Sequence, residues 1–458
     1  MASSPTLVRA LTLRSVVLFG LAYMTPLIVL GIFGVIASAT GGASASAYLL
    51  ALVAMIFTAL SYGKMAAAFP VAGSAYTYVR RTVDSRVGFL VGWAVLLDYL
   101  FLPMVIWLIG GSYLQAQFPA VPFWVWIIAF IAITTVLNVV GVRVAEKANY
   151  LLMAFQVLVV VIFVALSIAH VAGLGGAPAV FDAGPFWNDS ASVAGIAGGA
   201  AIAAYSFLGF DAVTTLTEET VDPRRTIPRA ILLVALIGGV VFIVVSYAAQ
   251  LVRPGGVFDT PDAESSAAFT LARDIGGTLF SSIFLAGLVL AQFASGLAAQ
   301  AGASRLMYAM GRDSVLPHRV FGYLQPRFRT PALCIALTAL VGLIALTIDV
   351  ATSTSFINFG AFTAFTMVNV SVVAYYLRQR RQGVTLNPAT YVVLPVLGAL
   401  VDLYLLTRLD STAIELGLAW LALGVVYLAV LTKGFRVAPP EVEFTEDVDT
   451  DSPARTSR

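Results

Sequence analysis

The chain has 458 residues, 60% of them hydrophobic and only 11% charged, with a formal net charge of +2. At a mean hydropathy of +0.93, this composition excludes a soluble globular protein and implies a polytopic helical protein whose main surrounding is the lipid bilayer. Cys334 is the only cysteine, and His170 and His318 lie far apart, so internal disulfides are excluded and no metal or cofactor is expected.

Twelve spans are predicted, near 15–39, 46–69, 87–117, 122–141, 148–170, 193–217, 230–252, 278–301, 331–349, 355–377, 389–406 and 412–432. The start imitates a signal peptide, with Arg9 and Arg14 before an apolar run and Ala37-Ser38-Ala39 at its end. The run from Val16 to Ala39 is longer than the roughly 7–15 apolar residues of such a leader, so it reads as a retained first helix. With both termini cytoplasmic, Arg253, Arg273 and Arg408 fall outside and the other 23 of the 26 Lys and Arg residues fall inside. The positive-inside rule predicts that orientation. Residues 1–14 are then a cytoplasmic N-terminus, 171–192 an extracellular loop, and 433–458 an acidic, disordered cytoplasmic tail.

Span 1 is interrupted at Tyr23-Met24-Thr25-Pro26. Pro26 lacks an amide and crowds the preceding turn, so it breaks the helix or merely kinks it. Span 6 is interrupted at Tyr205-Ser206-Phe207-Leu208-Gly209-Phe210-Asp211, with Gly209 as the bend and Phe207 or Phe210 as a thin gate over substrate. Backbone groups freed at mid-depth are tolerated only where they line an enclosed cavity, so the breaks point to a substrate site. Breaks five spans apart fit an inverted five-plus-five repeat, here 15–170 and 193–377, with two accessory spans over 389–432.

Span 3 carries Asp98 deep in an apolar run, where a carboxylate costs about 2.5–3.5 kcal/mol and must face a cavity or a partner. It either lines the site, with Tyr99 and Trp107 offering aromatic faces to a cationic amine, or pairs with Lys64 or a neighbouring hydroxyl. Lys64 itself reads as snorkelling to the cytoplasmic interface, and Asp402 in span 11 as a structural acid. Span 8 carries Gln292, Ser295 and Gln300, then runs into a charged cytoplasmic end. There Arg305 and Arg312, with acids such as Asp313 and the pair Glu218-Glu219, are expected to form an inner gate.

Several motifs now converge. They are Gly209-Phe210-Asp211 followed by Glu218-Glu219 and Pro228-Arg229-Ala230; Phe69-Pro70-Val71-Ala72-Gly73-Ser74-Ala75-Tyr76; Gly88-Phe89 with Gly92-Trp93; Ser304-Arg305 through Leu316-Pro317; and Thr330-Pro331. Together they resemble the amino acid–polyamine–organocation permeases over about residues 14–432. The resemblance implies an all-α, leucine-transporter-like fold. It also implies a substrate site drawn from Tyr23, Met24, Thr25, Asp98, Tyr99, Tyr205, Ser206, Phe207, Gly209, Phe210 and Asp211. In proton-coupled relatives a lysine of span 5 takes the place of a sodium ion. That place is Gln156 here, a neutral amide that cannot shuttle a proton, so only a weak coupling role for Gln156 and Ser295 is expected.

The resemblance makes the chain a secondary transporter of a bacterial inner membrane, not an enzyme, and gives it no nucleic-acid partner. A permease-like receptor or channel is the remote alternative. Amino acid carriers of the family show a Gly-(Ser/Thr)-Gly at the first break, whose amides suit a carboxylate. Here Pro26-Leu27-Ile28-Val29 stands there, which weakens that seat. Tyr23 to Pro26, Ser61 to Met65 and Leu96 to Leu100 resemble the putrescine importer branch. A diamine such as putrescine is therefore the expected substrate and a proton the expected coupling ion, with an amino acid as the alternative.

Overall fold

The computed structural model describes residues 10–70, 74–141 and 146–440. Most of the N-terminus and acidic tail, residues 71–73 of the turn after span 2, and the loop 142–145 lie outside the described residues, as do the side chains of Asn149 and Glu218. The first helix, α1 (Leu13–Met24), starts at Thr12, whose hydroxyl caps the amide of Ser15. It stops where Thr25 adopts φ 53° and Pro26 offers no amide to carry it on. The span resumes as α2 (Ile28–Gly31) and α3 (Phe33–Thr40). Then come α4 (Ser44–Ala68), α5 (Ser74–Thr82), α6 (Ser85–Gln117), α7 (Phe123–Val140) and α8 (Glu146–Val180).

The sixth span begins as α9 (Val193–Ala203) and tightens into a 3-10 turn, Ala204–Phe207. It unwinds at Leu208 and at Gly209 (φ 104°), and ends as a second 3-10 turn, Ala212–Glu219. After it come α10 (Pro223–Val252), α11 (Pro261–Ser265) and α12 (Ala267–Arg312), the last broken at Gly277. The chain closes with α13 (His318–Phe321), α14 (Ala332–Gly342), α15 (Val350–Arg381), α16 (Leu394–Leu406) and α17 (Ser411–Leu431).

Among the described residues, eleven helical stretches are long and apolar enough to cross a membrane, and each falls on a predicted span. The predicted ninth span carries Ala332–Leu346, apolar but shorter. The protein is a multi-pass membrane protein. Burial separates its helices: in an apolar 18-residue stretch of each, 78% of residues are buried in α15 and 67% in the sixth span, against 22% and 17% in the last two spans. Those two lie at the periphery. Asp402 is among the buried residues of α16, and its Oδ2 accepts hydrogen bonds from Thr58 Oγ1 (2.9 Å) and Asn369 Nδ2 (3.0 Å). A buried acid needs such partners, and these tie α16 to α4 and α15.

The two halves of the first span differ. Residues 27–37, after the break, are all buried. Before it, Leu18, Phe19 and Tyr23 are each about two-fifths exposed. The buried half is sealed by backbone: the carbonyl of Glu264 lies so close to Gly34 that a Cβ there would strike it.

A candidate substrate site at the two breaks

A cavity of about 60 Å³ lies where the two interrupted spans meet. From α6 it takes Val95, Asp98, Tyr99 and Leu102, the i, i+3, i+4, i+7 stripe of one helical face. The unwound part of the sixth span adds Leu208, Gly209 and Asp211, the 3-10 turn after it adds Ala212, and α15 adds Ala361, Ala364 and Phe365. Tyr23, Tyr62 and Ser74 complete the wall from α1, α4 and α5.

The two acids differ in their partners. Asp211 Oδ2 accepts a hydrogen bond from Ser74 Oγ at 3.3 Å, and the Tyr62 hydroxyl also reaches it. Asp98 Oδ1 is shielded from solvent and has no hydrogen-bond partner among the described residues. Lys64 does not answer it, because its ammonium lies 5.4 Å over the Tyr391 ring. The Tyr23 and Tyr99 hydroxyls are within hydrogen-bond reach of each other, beside both acids. Among the described residues no Lys, Arg or His lines the cavity. Two carboxylates and four aromatic rings without a base make a wall that suits a cation.

Gly209 locks the two breaks together. Its φ of 104° lies where other residues are strained, and the Tyr23 ring fills the space a Cβ would need.

Other predicted site residues sit outside the cavity wall. Met24 packs on Gly238 of α10, and Thr25 lines a separate small gap with Leu27, Ile28 and Gln292. The 3-10 turn aims its side chains at neighbouring helices. Tyr205 is buried near Asp98, the Ser206 hydroxyl meets Tyr48 Oη (3.1 Å), and Phe207 packs edge-on to Phe242 (5.3 Å). Phe210 wedges between Tyr62 and Phe365, backing the wall without lining it. Gln156 is buried and Ser295 half-buried, neither at the cavity.

Of the residues expected to form an inner gate, Arg312 Nε pairs with Asp313 at 2.9 Å, Arg305 is exposed, and the Glu219 carbonyl accepts the amides of Ala10 and Leu11. The sequence reading did not place Tyr62, Ser74 or the α15 residues at the site. The spacing of Ala361, Ala364 and Phe365 on one helical face was the available signal.

The amino acid permease family model matches residues 15–428. Over 441 residues the chain is 41% identical to the low-affinity putrescine importer PlaP of Escherichia coli, covering 95% of this chain and 96% of that protein. It is 25% identical over 403 residues to the branched-chain amino acid permease BcaP of Bacillus subtilis, at 83% of each chain. The methylthioribose transporter of the same bacterium is 24% identical over 441 residues, 92% of this chain and 93% of that one.

Proposed function

The chain belongs to the amino acid permease family, and from that premise we propose that it imports putrescine, or a closely related polyamine, by alternating access. It is a transporter and not an enzyme. The observation that carries the substrate is the cavity wall, with Asp98 and Asp211 on it and no base among the described residues. In this reading Asp98 Oδ1 accepts one ammonium. The second ammonium meets Asp211, or carbonyls freed at the breaks, while the faces of Tyr23 and Tyr99 cover the methylenes. Each charge-assisted hydrogen bond contributes about 1.5–3 kcal/mol. The match to the putrescine importer of Escherichia coli supports the same substrate. A zwitterionic amino acid would need a seat for its carboxylate, and the wall offers it two like charges.

In the same reading the chain forms twelve spans as a five-plus-five inverted repeat, 15–170 and 193–377, with α16 and α17 accessory. Both termini face the cytoplasm of a bacterial inner membrane, and a proton is the coupled ion. The sealed half of the first span is then the outer one, and the cavity faces inward. Competition in proteoliposomes tests the substrate. Unlabelled putrescine and related diamines should suppress labelled putrescine uptake, and neutral amino acids in tenfold excess should not. Equal competition by leucine or alanine would overturn the assignment.

A further inference from the structure

We propose that the segment after the last span, Phe435 to Pro440, is a strap that sets the position of Ser74 in the cavity by gripping α5. The strap's course is unusual. Lys433, Gly434 and Phe435 all have positive φ, at 52°, 72° and 63°. Two of these are not glycine, and such strain persists only where the surroundings over-determine it. The turn is tied back by Gly434 N–H to Ala429 O (2.7 Å) and by Phe435 N–H to Thr432 Oγ1 (3.1 Å). Beyond it, Arg86 Nη2 donates to Phe435 O (2.5 Å). Arg80 Nη1 donates to Pro439 O (3.5 Å) and Pro440 O (3.4 Å). The prolines stiffen the strap.

Arg80 belongs to α5, the nine-residue helix whose first residue is Ser74. Arg80 lies six residue steps along the helix from Ser74, about 9 Å along the axis. Between them Tyr76 is buried in one cluster with Phe89 of α6 and Leu428 of α17, and Tyr78 packs edge-on to Tyr62 at 6.1 Å. From α15, Arg378 Nη1 donates to Arg81 O at the far end of the helix (3.3 Å). A helix this short, held at both ends, moves as one body. Its Ser74 end touches Asp211, and its Arg80 end touches the strap. Arg80 is thus a positioning residue: it reaches no substrate, and acts on Asp211 through the helix it shares with Ser74. The strap favours the arrangement in which Ser74 is bonded to Asp211, and its loss frees both the acid and that wall of the cavity.

The test uses full-length protein with Cys334→Ala and a single reporter, Ala212→Cys, beside Asp211 in the cavity wall. Alkylation by a small maleimide is timed in inside-out vesicles without substrate, so the result does not depend on which amine is carried. The double variant Arg80→Gln/Arg86→Gln keeps the chain length, and a chain ending at Lys433 removes the strap. Both should label several-fold faster than the full chain. Without the reporter, both should change the KM for putrescine more than kcat, and Arg80→Lys should stay close to wild type. A chain ending at Pro440 retains the strap and should match the full chain. Unchanged labelling in the double variant, or equal acceleration in the chain ending at Pro440, would overturn the proposal.

Discussion

Asp98 is a carboxylate in an apolar span with one oxygen that no described group satisfies. Leaving such an atom unpaired is costly in a protein interior, and an ammonium from substrate removes the cost. Asp98→Asn keeps the shape and removes the charge. Putrescine uptake should weaken by roughly 10- to 150-fold, the equivalent of one charge-assisted hydrogen bond, with expression unchanged. Adding Lys64→Met should not restore it, because Lys64 rests on Tyr391 and forms no ion pair with Asp98. Rescue by that double variant would return the site to amino acids. Both acids were legible in the sequence because lone charges stand out in apolar spans. Tyr62, Ala361 and Ala364 were not, since an aromatic or a small residue in a span looks the same whether it faces a helix or a cavity. Phe207 and Phe210 were read as cavity-lining for want of local geometry. The turns around them aim their rings at Phe242 and at the Tyr62–Phe365 pair.

The interrupted spans show how far pattern alone reaches at the level of elements. Pro26 and Gly209 marked both interruptions, because missing amides and permissive backbones are written in residue type. The interlock between them was not written there, since it depends on Tyr23 filling the space beside Gly209. Gly209→Ala, the smallest change available, must strain the backbone at about 1–3 kcal/mol and displace that ring. Transport should fall at least tenfold while the protein still purifies as a single species. Normal uptake would show that the bend is dispensable. The short α5 went unrecognised for a different reason. Its nine residues carry Arg80 and Arg81 and no apolar run, so a search for membrane-length segments passes over it. The first part of α12 was equally hidden, because it is a loop helix that meets the span at the non-helical Gly277 (φ 65°).

Across the whole molecule, the proposed orientation rests on the distribution of charge. Arg378, Arg380 and Arg381 end α15, and Arg80, Arg81 and Arg86 lie along α5 and the start of α6. Placing these clusters inside leaves only Arg253, Arg273 and Arg408 to be carried across. The reverse orientation would translocate the clusters, against the bias that sets topology. The sealed half of the first span and α11, which closes over Gly34, then face outward. Two exposed positions report this directly: Thr260, which caps α11, and Gln382, just after α15. In a Cys334→Ala background, Thr260→Cys should react with an impermeant thiol reagent in intact cells. Gln382→Cys should react only in inside-out vesicles. Labelling of Gln382→Cys in sealed cells, with Thr260→Cys protected, would invert the protein and make the strap an external feature. Labelling of both from one side would mean an even number of crossings between them, in place of the three of the twelve-span reading, and that Ala332–Leu346 does not span.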